Sequence, residues 1–263
     1  MCPEISFKFA GVDISVYFYG LFTVLAALTG CFIAFFTLRH AGLKLTRILL
    51  LLAAMAAGFL IGARLWNYAV NPGAYDEIFT LFTLRLANFS LYGGVTGSIV
   101  VFMLMTLRDR EKRWHMLDAL VLPSAVAFAI ARVGCFLNGC CGGKATNSWL
   151  GVDFPPKGNI TGILTLPILG NVNMPSYPTQ LFELVLALIG LIPALLLRNN
   201  QKVPSGVPFL VYGVWFTGVR WAILPLRELP YSDYIVTIVY PIIYALMIIC
   251  GCVLIAVRIR KKG

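Results

Sequence analysis

Charge is what this chain has least of. Only 12% of its 263 residues are Asp, Glu, Lys or Arg, and 59% are hydrophobic. An ordinary soluble domain carries roughly twice that charge, about 25%, so a soluble globular enzyme is excluded. Several apolar runs reach the ~20 residues that a bilayer crossing needs, which makes the chain a polytopic, all-α membrane protein. A basic leader is also missing. Glu4, Lys8 and Asp13 precede the first apolar segment and no small-residue cleavage site follows it, so a cleavable signal peptide is not expected. Met1-Cys2 reads as an ordinary start for the same reason. No internal repeat is visible, which speaks against an inverted-repeat transporter. Histidine is nearly absent, with only His40 and His115.

The charge that is present is mostly positive, with a formal balance of +10. Seven spans are expected, near Val16–Phe36, Ile48–Tyr68, Ser90–Leu107, Met116–Phe136, Gln180–Leu197, Gly206–Pro225 and Ile235–Val257. If they alternate, 13 of the 21 basic residues fall on one side, between Arg39 and Arg47, Arg108 and Arg113, Arg198 and Lys202, and at the C-terminal end. The positive-inside rule makes that side cytoplasmic, with the N-terminus outside and the C-terminus inside. The basic excess is then topological, with attraction to anionic lipid head groups as a second use. A nucleic-acid partner is not expected. Residues 1–263 read as one transmembrane domain, with a long extracytoplasmic loop over 137–178 rich in Gly, Asn and Pro. Within it, 149–154 and 163–175 have the composition of short strands, and loops of this length are usually functional.

On this orientation the polar residues inside the spans share one depth. Tyr17, Tyr19, Arg64, Asn67, Tyr68, Tyr92, Gly93, Gly94, Arg132, Asn138, Gln180, Glu183, Arg220 and Arg227 all fall at the outer ends. The inner halves are almost purely apolar. A channel or transporter needs polar groups at the midplane; an enzyme working on lipid head groups in one leaflet needs them at one depth. Arginine suits a phosphate because its planar fork holds two oxygens. An arginine within a span is costly enough to be a functional candidate in its own right. Gly93-Gly94 at a helix start would add backbone donors and a positive dipole end.

Each residue has a plainer reading as well. Arg64 beside Trp66 is placed to snorkel. Arg132 has Glu183 or Asp153 as an ion-pair partner, and Arg220 has Glu228. Tyr17 fits an aromatic belt, and Gly93-Gly94 fits close helix packing. Cys135, Cys140 and Cys141 lack a second CxxC or a His pair, and both histidines fall on the opposite side, so no metal is expected. A disulfide using Cys140 or Cys141 suits an oxidising exterior, with its partner open. Cys31, Cys250 and Cys252 lie in apolar segments, where cysteine acts as a small hydrophobe.

Several blocks in order resemble one family. They are Tyr19-Gly20, Ile61-Gly62-Ala63-Arg64, Phe89-Ser90-Leu91-Tyr92-Gly93-Gly94-Val95-Thr96-Gly97, Asp118 to Gly139, Tyr177-Pro178-Thr179-Gln180-Leu181-Phe182-Glu183, and Tyr212 to Arg227. Together they resemble the prolipoprotein diacylglyceryl transferases, seven-span enzymes of the bacterial cytoplasmic membrane. Arg132-Val133-Gly134-x-Phe136-x-Asn138-Gly139 is the most specific block. The resemblance implies transfer of the diacylglyceryl group of phosphatidylglycerol to the lipobox cysteine thiol of a preprolipoprotein, releasing glycerol 1-phosphate, without a cofactor. It implies that Arg132 holds the phosphate, that Arg220 supports the leaving group, and that Tyr19 and Asn138 line the head-group pocket. Arg64, Gly93, Gly94, Gln180, Glu183 and Arg227 complete the substrate-binding set, with Gln180 and Glu183 orienting the arginines.

The sequence departs from that pattern where protons are handled. The family's HGG reads Tyr92-Gly93-Gly94 here, and its HP-x-Q reads Tyr177-Pro178-Thr179-Gln180. Its acid after the Asn-Gly pair is Cys140, and its glutamate four residues after Arg220 is Leu224. Tyr92 stands in the histidine's place, but a phenol of pKa ~10 is a poor base near neutral pH. Two alternatives therefore stand beside the main reading. One is a related phospholipid transferase with another acceptor; the other is a non-catalytic lipid-binding or transport paralogue.

Overall fold

The structure, a computed structural model, describes residues 4–9, 12–74, 90–154 and 174–261. Seven helices dominate it: α1 (Phe18–His40), α2 (Leu45–Val70), α3 (Leu91–Met105), α4 (Arg110–Leu137), α5 (Thr179–Asn199), α6 (Val207–Ile223) and α7 (Tyr240–Arg260). Among the described residues, six helical stretches are long and apolar enough to cross a membrane, the last counted from Ile235. Their outward faces carry a belt of exposed Leu, Ile and Phe, among them Leu28, Phe32, Leu50, Ile61, Leu196 and Leu246. An apolar surface of that extent is stable only against lipid.

The expectation of seven full spans needs one correction. Helix α3 has 15 residues, about 22 Å at 1.5 Å per residue, short of a ~30 Å hydrocarbon core. It gains its place by packing on α2 through facing small residues. Gly58 and Gly62 of α2 meet Gly97 and Gly93 of α3, and a Cβ on any of the four would strike backbone or side chain of the other helix. Both helices thus present a small-xxx-small face, which lets their backbones approach closely.

The N-terminal segment also differs from expectation. Glu4–Phe9 and Val12–Tyr17 pair as an antiparallel hairpin, with Phe9 opposite Val12. The alternation Ile5, Phe7, Phe9 and Val12, Ile14, Val16 is the period-two signal of a strand. It displaces the start of the first span from Val16 to Phe18. In the 137–178 connection, the strand expected over 149–154 is reduced to one bridge, Val152 to Ser176. The piece at 163–175 lies almost wholly outside the described residues. Before α7 the chain makes a π-helical turn over Ile235–Val239, a feature that often re-aims side chains near a site.

The end of the bundle bearing the basic loops is tied by its arginines. Arg39 donates to the Leu43 carbonyl at 3.0 Å, Arg113 to that of Thr106 at 2.9 Å, and Arg258 to that of Ser205 at 2.8 Å. Thr106 is the C-cap of α3, where the last carbonyls of a helix have no partner of their own, whereas Leu43 and Ser205 lie in the loops that lead into α2 and α6. Arg47 pairs with Asp109 across the α2–α4 approach. Between the helices, buried Asp118 accepts N–H bonds from Gly206 (2.7 Å) and Phe209 (3.0 Å), so a side chain of α4 caps the start of α6. Leu38, Ile48, Phe102, Met116 and Leu117 fill the core beside it.

Candidate functional site

The opposite end of the bundle holds a buried ion cluster. Glu183, the fifth residue of α5, is 1% exposed. Its Oε1 lies 2.6 Å from Arg220 Nη1 and 3.2 Å from Arg227 Nη1, and its Oε2 lies 2.8 Å from Arg132 Nε. One carboxylate therefore gathers guanidiniums from the end of α4, the end of α6 and the segment after it. The Glu228 and Asp153 pairings entertained for these arginines give way to Glu183. Three positive charges face one negative charge. A buried net charge of that size is costly unless a further anion completes it.

The arginines border a cavity of ≈ 300 Å³. Its remaining wall is largely apolar and aromatic, including Tyr19, Phe128, Tyr92 and Tyr244. Arg132 stacks over Phe128 at 4.8 Å and Arg220 over Tyr92 at 5.6 Å, contacts that fix the planar forks in place. Arg220 Nε and Arg227 Nε have no hydrogen-bond partner among the described residues, and neither has the buried Tyr92 hydroxyl. Unmatched donors beside a cavity are where a ligand's oxygens would bind. Tyr231, Tyr240 and Tyr244 add three rings in series, with centroids 5.8 Å and 5.7 Å apart. Sequence reading missed these three; the signal was Tyr240 and Tyr244 four residues apart on one helical face. Burial holds the Tyr231 phenol above its ordinary pKa, so it stays neutral.

The expected site residues separate into two groups. Tyr19, Tyr92, Arg132, Arg220 and Arg227 line the cavity, with Glu183 buried behind the arginines. Gln180 is fully buried and donates Nε2 to the Cys140 carbonyl at 2.7 Å. It holds the turn after α4 and makes no direct bond to an arginine. Asn138 is the buried C-cap of α4, and Arg64 is buried on α2; neither borders the cavity. Gly93 and Gly94 do not border it either. They pack against α2, Gly93 on Gly62 and Trp66, and Gly94 on the Phe59 ring, which is the helix-packing alternative. Ser90 and Leu91, at the start of α3, take their place on the cavity wall.

The exit from α4 folds back on itself. Gly139 (φ 69°) and Cys141 (φ 59°) both adopt the left-handed conformation, which is costly for Cys141. The Cys140 N–H returns to the Cys135 carbonyl at 3.0 Å, and Thr179 Oγ1 donates to the Cys141 carbonyl at 3.1 Å. As a result the sulfurs of Cys135, Cys140 and Cys141 lie within 4.8 Å of one another, and Cys135 and Cys141 reach the cavity.

Comparison with known proteins agrees with the resemblance. The family model described as prolipoprotein diacylglyceryl transferase matches residues 5–258. A phosphatidylglycerol–prolipoprotein diacylglyceryl transferase of Enterococcus faecalis is 26% identical over 267 residues, 99% of this chain and 92% of its own length. One from Rhodopirellula baltica is 26% identical over 187 residues, covering 65% of this chain and 38% of its own length. Another, numbered 2, from Clostridium perfringens is 28% identical over 144 residues, 54% of this chain and 52% of its own. The alignments with the latter two thus span about two-fifths to a half of those relatives.

Proposed function

The chain belongs to the prolipoprotein diacylglyceryl transferase family, and from that premise we propose that it transfers the diacylglyceryl group of phosphatidylglycerol to the lipobox cysteine of a preprolipoprotein. It is a multi-pass bacterial membrane protein, and membership of the family implies a transferase. The observation that carries the finer reading is the imbalance of the buried cluster, three arginines on one glutamate beside an apolar cavity. Such a site suits a lipid whose head group is an anion and whose body is apolar.

In this reading the phosphodiester sits against Arg132, Arg220 and Arg227, with its glyceryl carbon facing the cavity. The acceptor thiolate attacks that carbon. The carbon–oxygen bond breaks, and its electron pair leaves on the phosphate as glycerol 1-phosphate. Charge on the leaving phosphate rises from one to two, so fixed guanidiniums interact more strongly with the transition state than with the substrate. Glu183 holds the three forks in place. Tyr92 places a hydroxyl beside Arg220 to meet the lipid, and Tyr19 closes the head-group side. The N-terminus lies outside and the C-terminus inside, which puts the cluster at the outer leaflet. Residues 1–263 act as one transmembrane domain whose 137–178 connection guides the acceptor; no nucleic acid takes part.

A thiol-acceptor assay tests this with the purified protein, phosphatidylglycerol and a lipobox peptide. Glycerol phosphate should appear with the thioether product and be lost in Arg132→Ala. Lipid consumption with only a different acceptor would select the related-transferase alternative. Phosphatidylglycerol binding without turnover would select the non-catalytic one.

A further inference from the structure

We propose that Cys135, Cys140 and Cys141 form a binding site for one soft divalent metal ion of the zinc type, whose remaining coordination position opens into the lipid cavity and takes the acceptor thiol. The acceptor assignment rests on the transferase reading above; the metal site does not.

The spacing of the sulfurs favours an ion over a disulfide. All three lie within 4.8 Å of one another. A tetrahedral ion with metal–sulfur bonds of ~2.3 Å sets its sulfurs about 3.8 Å apart, and a trigonal one about 4.0 Å, so movements of about 1 Å or less close the set. A disulfide needs about 2.05 Å between two sulfurs and leaves the third with no role. Three thiolates are also the ligand set that selects soft ions.

The backbone holds the three residues as a unit. Cys135 stands on the last turn of α4. The Cys140 N–H returns to the Cys135 carbonyl, Gln180 Nε2 bonds the Cys140 carbonyl and Thr179 Oγ1 bonds the Cys141 carbonyl. Both partners on α5 belong to its rigid first turn, and such supporting bonds orient ligands and tighten metal sites. Left-handed Cys141 turns the chain so that its sulfur meets the other two. Arg132 Nη1 lies 3.9 Å from Cys135 Sγ, and a guanidinium there favours the thiolate that binds metal. The sequence spacing gave no hint of this, because the third sulfur arrives through a reversed turn rather than a second CxxC.

Cys140 is 1% exposed and faces away from solvent, whereas Cys135 and Cys141 reach the cavity wall. The side of the triad left open is therefore the lipid side. Three protein ligands and an open position are the pattern of a catalytic rather than a structural ion. A thiol binding there loses its proton outright, here to water in the cavity. This supplies what the chain lacks, since both histidines belong to the opposite end of the bundle. The bound thiolate attacks the glyceryl carbon, the carbon–oxygen bond breaks toward phosphate, and the thioether formed, a far weaker ligand than thiolate, leaves the ion.

Co²⁺ titration of the reduced, full-length protein tests the site without reference to activity. One tetrahedral Co²⁺ per chain is expected, and Zn²⁺ should displace it. Cys135→Ser, Cys140→Ser and Cys141→Ser should each weaken binding by about 100-fold or more, while Cys31→Ser and Cys250→Ser leave it unchanged. In wild-type protein, where folding is not in question, Zn²⁺ should shield Cys135 and Cys141, the two thiols that reach the cavity, from maleimide. Absence of a tetrahedral spectrum, or its survival in Cys140→Ser, overturns the site and leaves the transferase reading to its own assay. A lipobox peptide should then shift the Co²⁺ spectrum, and its Cys→Ser version should not. No shift, or full turnover by chelator-treated enzyme, overturns the acceptor role.

Discussion

Replacing Glu183 by Gln removes the one negative charge from the arginine cluster while keeping its shape. The carboxylate is 1% exposed and lies within 2.6, 2.8 and 3.2 Å of three guanidiniums. Removing one partner of a buried ion pair costs about 3–5 kcal/mol, because the survivor stays buried and uncompensated. The amide oxygen still accepts one arginine bond, which offsets about 1 kcal/mol, but three mutually repelling cations remain. A loss of about 2–4 kcal/mol in unfolding free energy is therefore expected in neutral detergent. An anion that binds the cluster should restore part of it: a ligand at one hundred times its Kd adds about 2.7 kcal/mol. Phosphatidylglycerol should thus rescue the variant's stability, and a zwitterionic lipid of the same chains should not. Turnover should fall by about 10²-fold as the forks lose their alignment, equivalent to about 2.7 kcal/mol of barrier. Denaturant unfolding in the two lipids measures the first effect and glycerol phosphate release the second. If Glu183→Gln matches the wild type to within about 0.5 kcal/mol in neutral detergent, the cluster is not held by this carboxylate and the argument fails.

Other perturbations separate packing from chemistry. Tyr92→Phe deletes a buried hydroxyl that has no partner among the described residues, so stability should change by less than about 0.5 kcal/mol while glycerol phosphate release drops about tenfold; equal activity would remove the hydroxyl from the site. Gly93→Val forces a branched side chain against the Gly62 carbonyl and Trp66, and unfolding should become easier by about 1–3 kcal/mol, with an unchanged denaturation midpoint counting against the close α2–α3 approach. Asp118→Ala leaves the N–H groups of Gly206 and Phe209 without their acceptor, costing about 1–3 kcal/mol, visible as faster amide exchange at the start of α6. Arg47 holds the exposed Asp109 carboxyl below its ordinary range, so any stability from that pair is present above the unfolded value of ~4 and is lost as pH falls through the lower folded value. Thermal melts of wild type and Asp109→Asn should therefore differ only slightly at neutral pH and converge in acid, and a gap that widened in acid would reverse that sign.

The helices were legible because lipid imposes long apolar runs on any chain that crosses it, and the arginines were legible because hydrocarbon makes a charge conspicuous. That logic failed where length was set by a neighbour. Helix α3 looked like a full span because Ser90 to Leu107 is uncharged throughout, yet its 15 residues are held by glycines on α2. Gly93 and Gly94 of α3 were read as phosphate donors from their place at a helix start, with close packing as the plainer alternative, and the facing Gly62, Trp66 and Phe59 select the packing role. The N-terminal hairpin was masked by the apolar tract it leads into. Glu183 was expected to orient Arg132 and Arg220. That it serves three arginines depends on where α6 ends and how the chain leaves it, which no spacing encodes. The three sulfurs are the extreme case, since two left-handed residues decide whether they meet.

These features converge on one turn of helix. Thr179, Gln180 and Glu183 open α5 on adjacent positions of a buried face. Glu183 faces the arginines, whereas Thr179 and Gln180 grip the carbonyls of Cys141 and Cys140. On the proposed reading, a seat for the departing phosphate and a place for the incoming sulfur are thus mounted on the same five residues. Arg132 belongs to both, with Nε on Glu183 and Nη1 toward Cys135. Side chains fixed to one rigid turn keep their mutual distances when the bundle flexes in lipid, and displacement at carbon is sensitive to the alignment of entering and leaving groups. On this account the replacement of family histidine and acid by Tyr92 and Cys140 relocates the handling of the acceptor proton to the α4–α5 junction, and leaves the phosphate seat as it was.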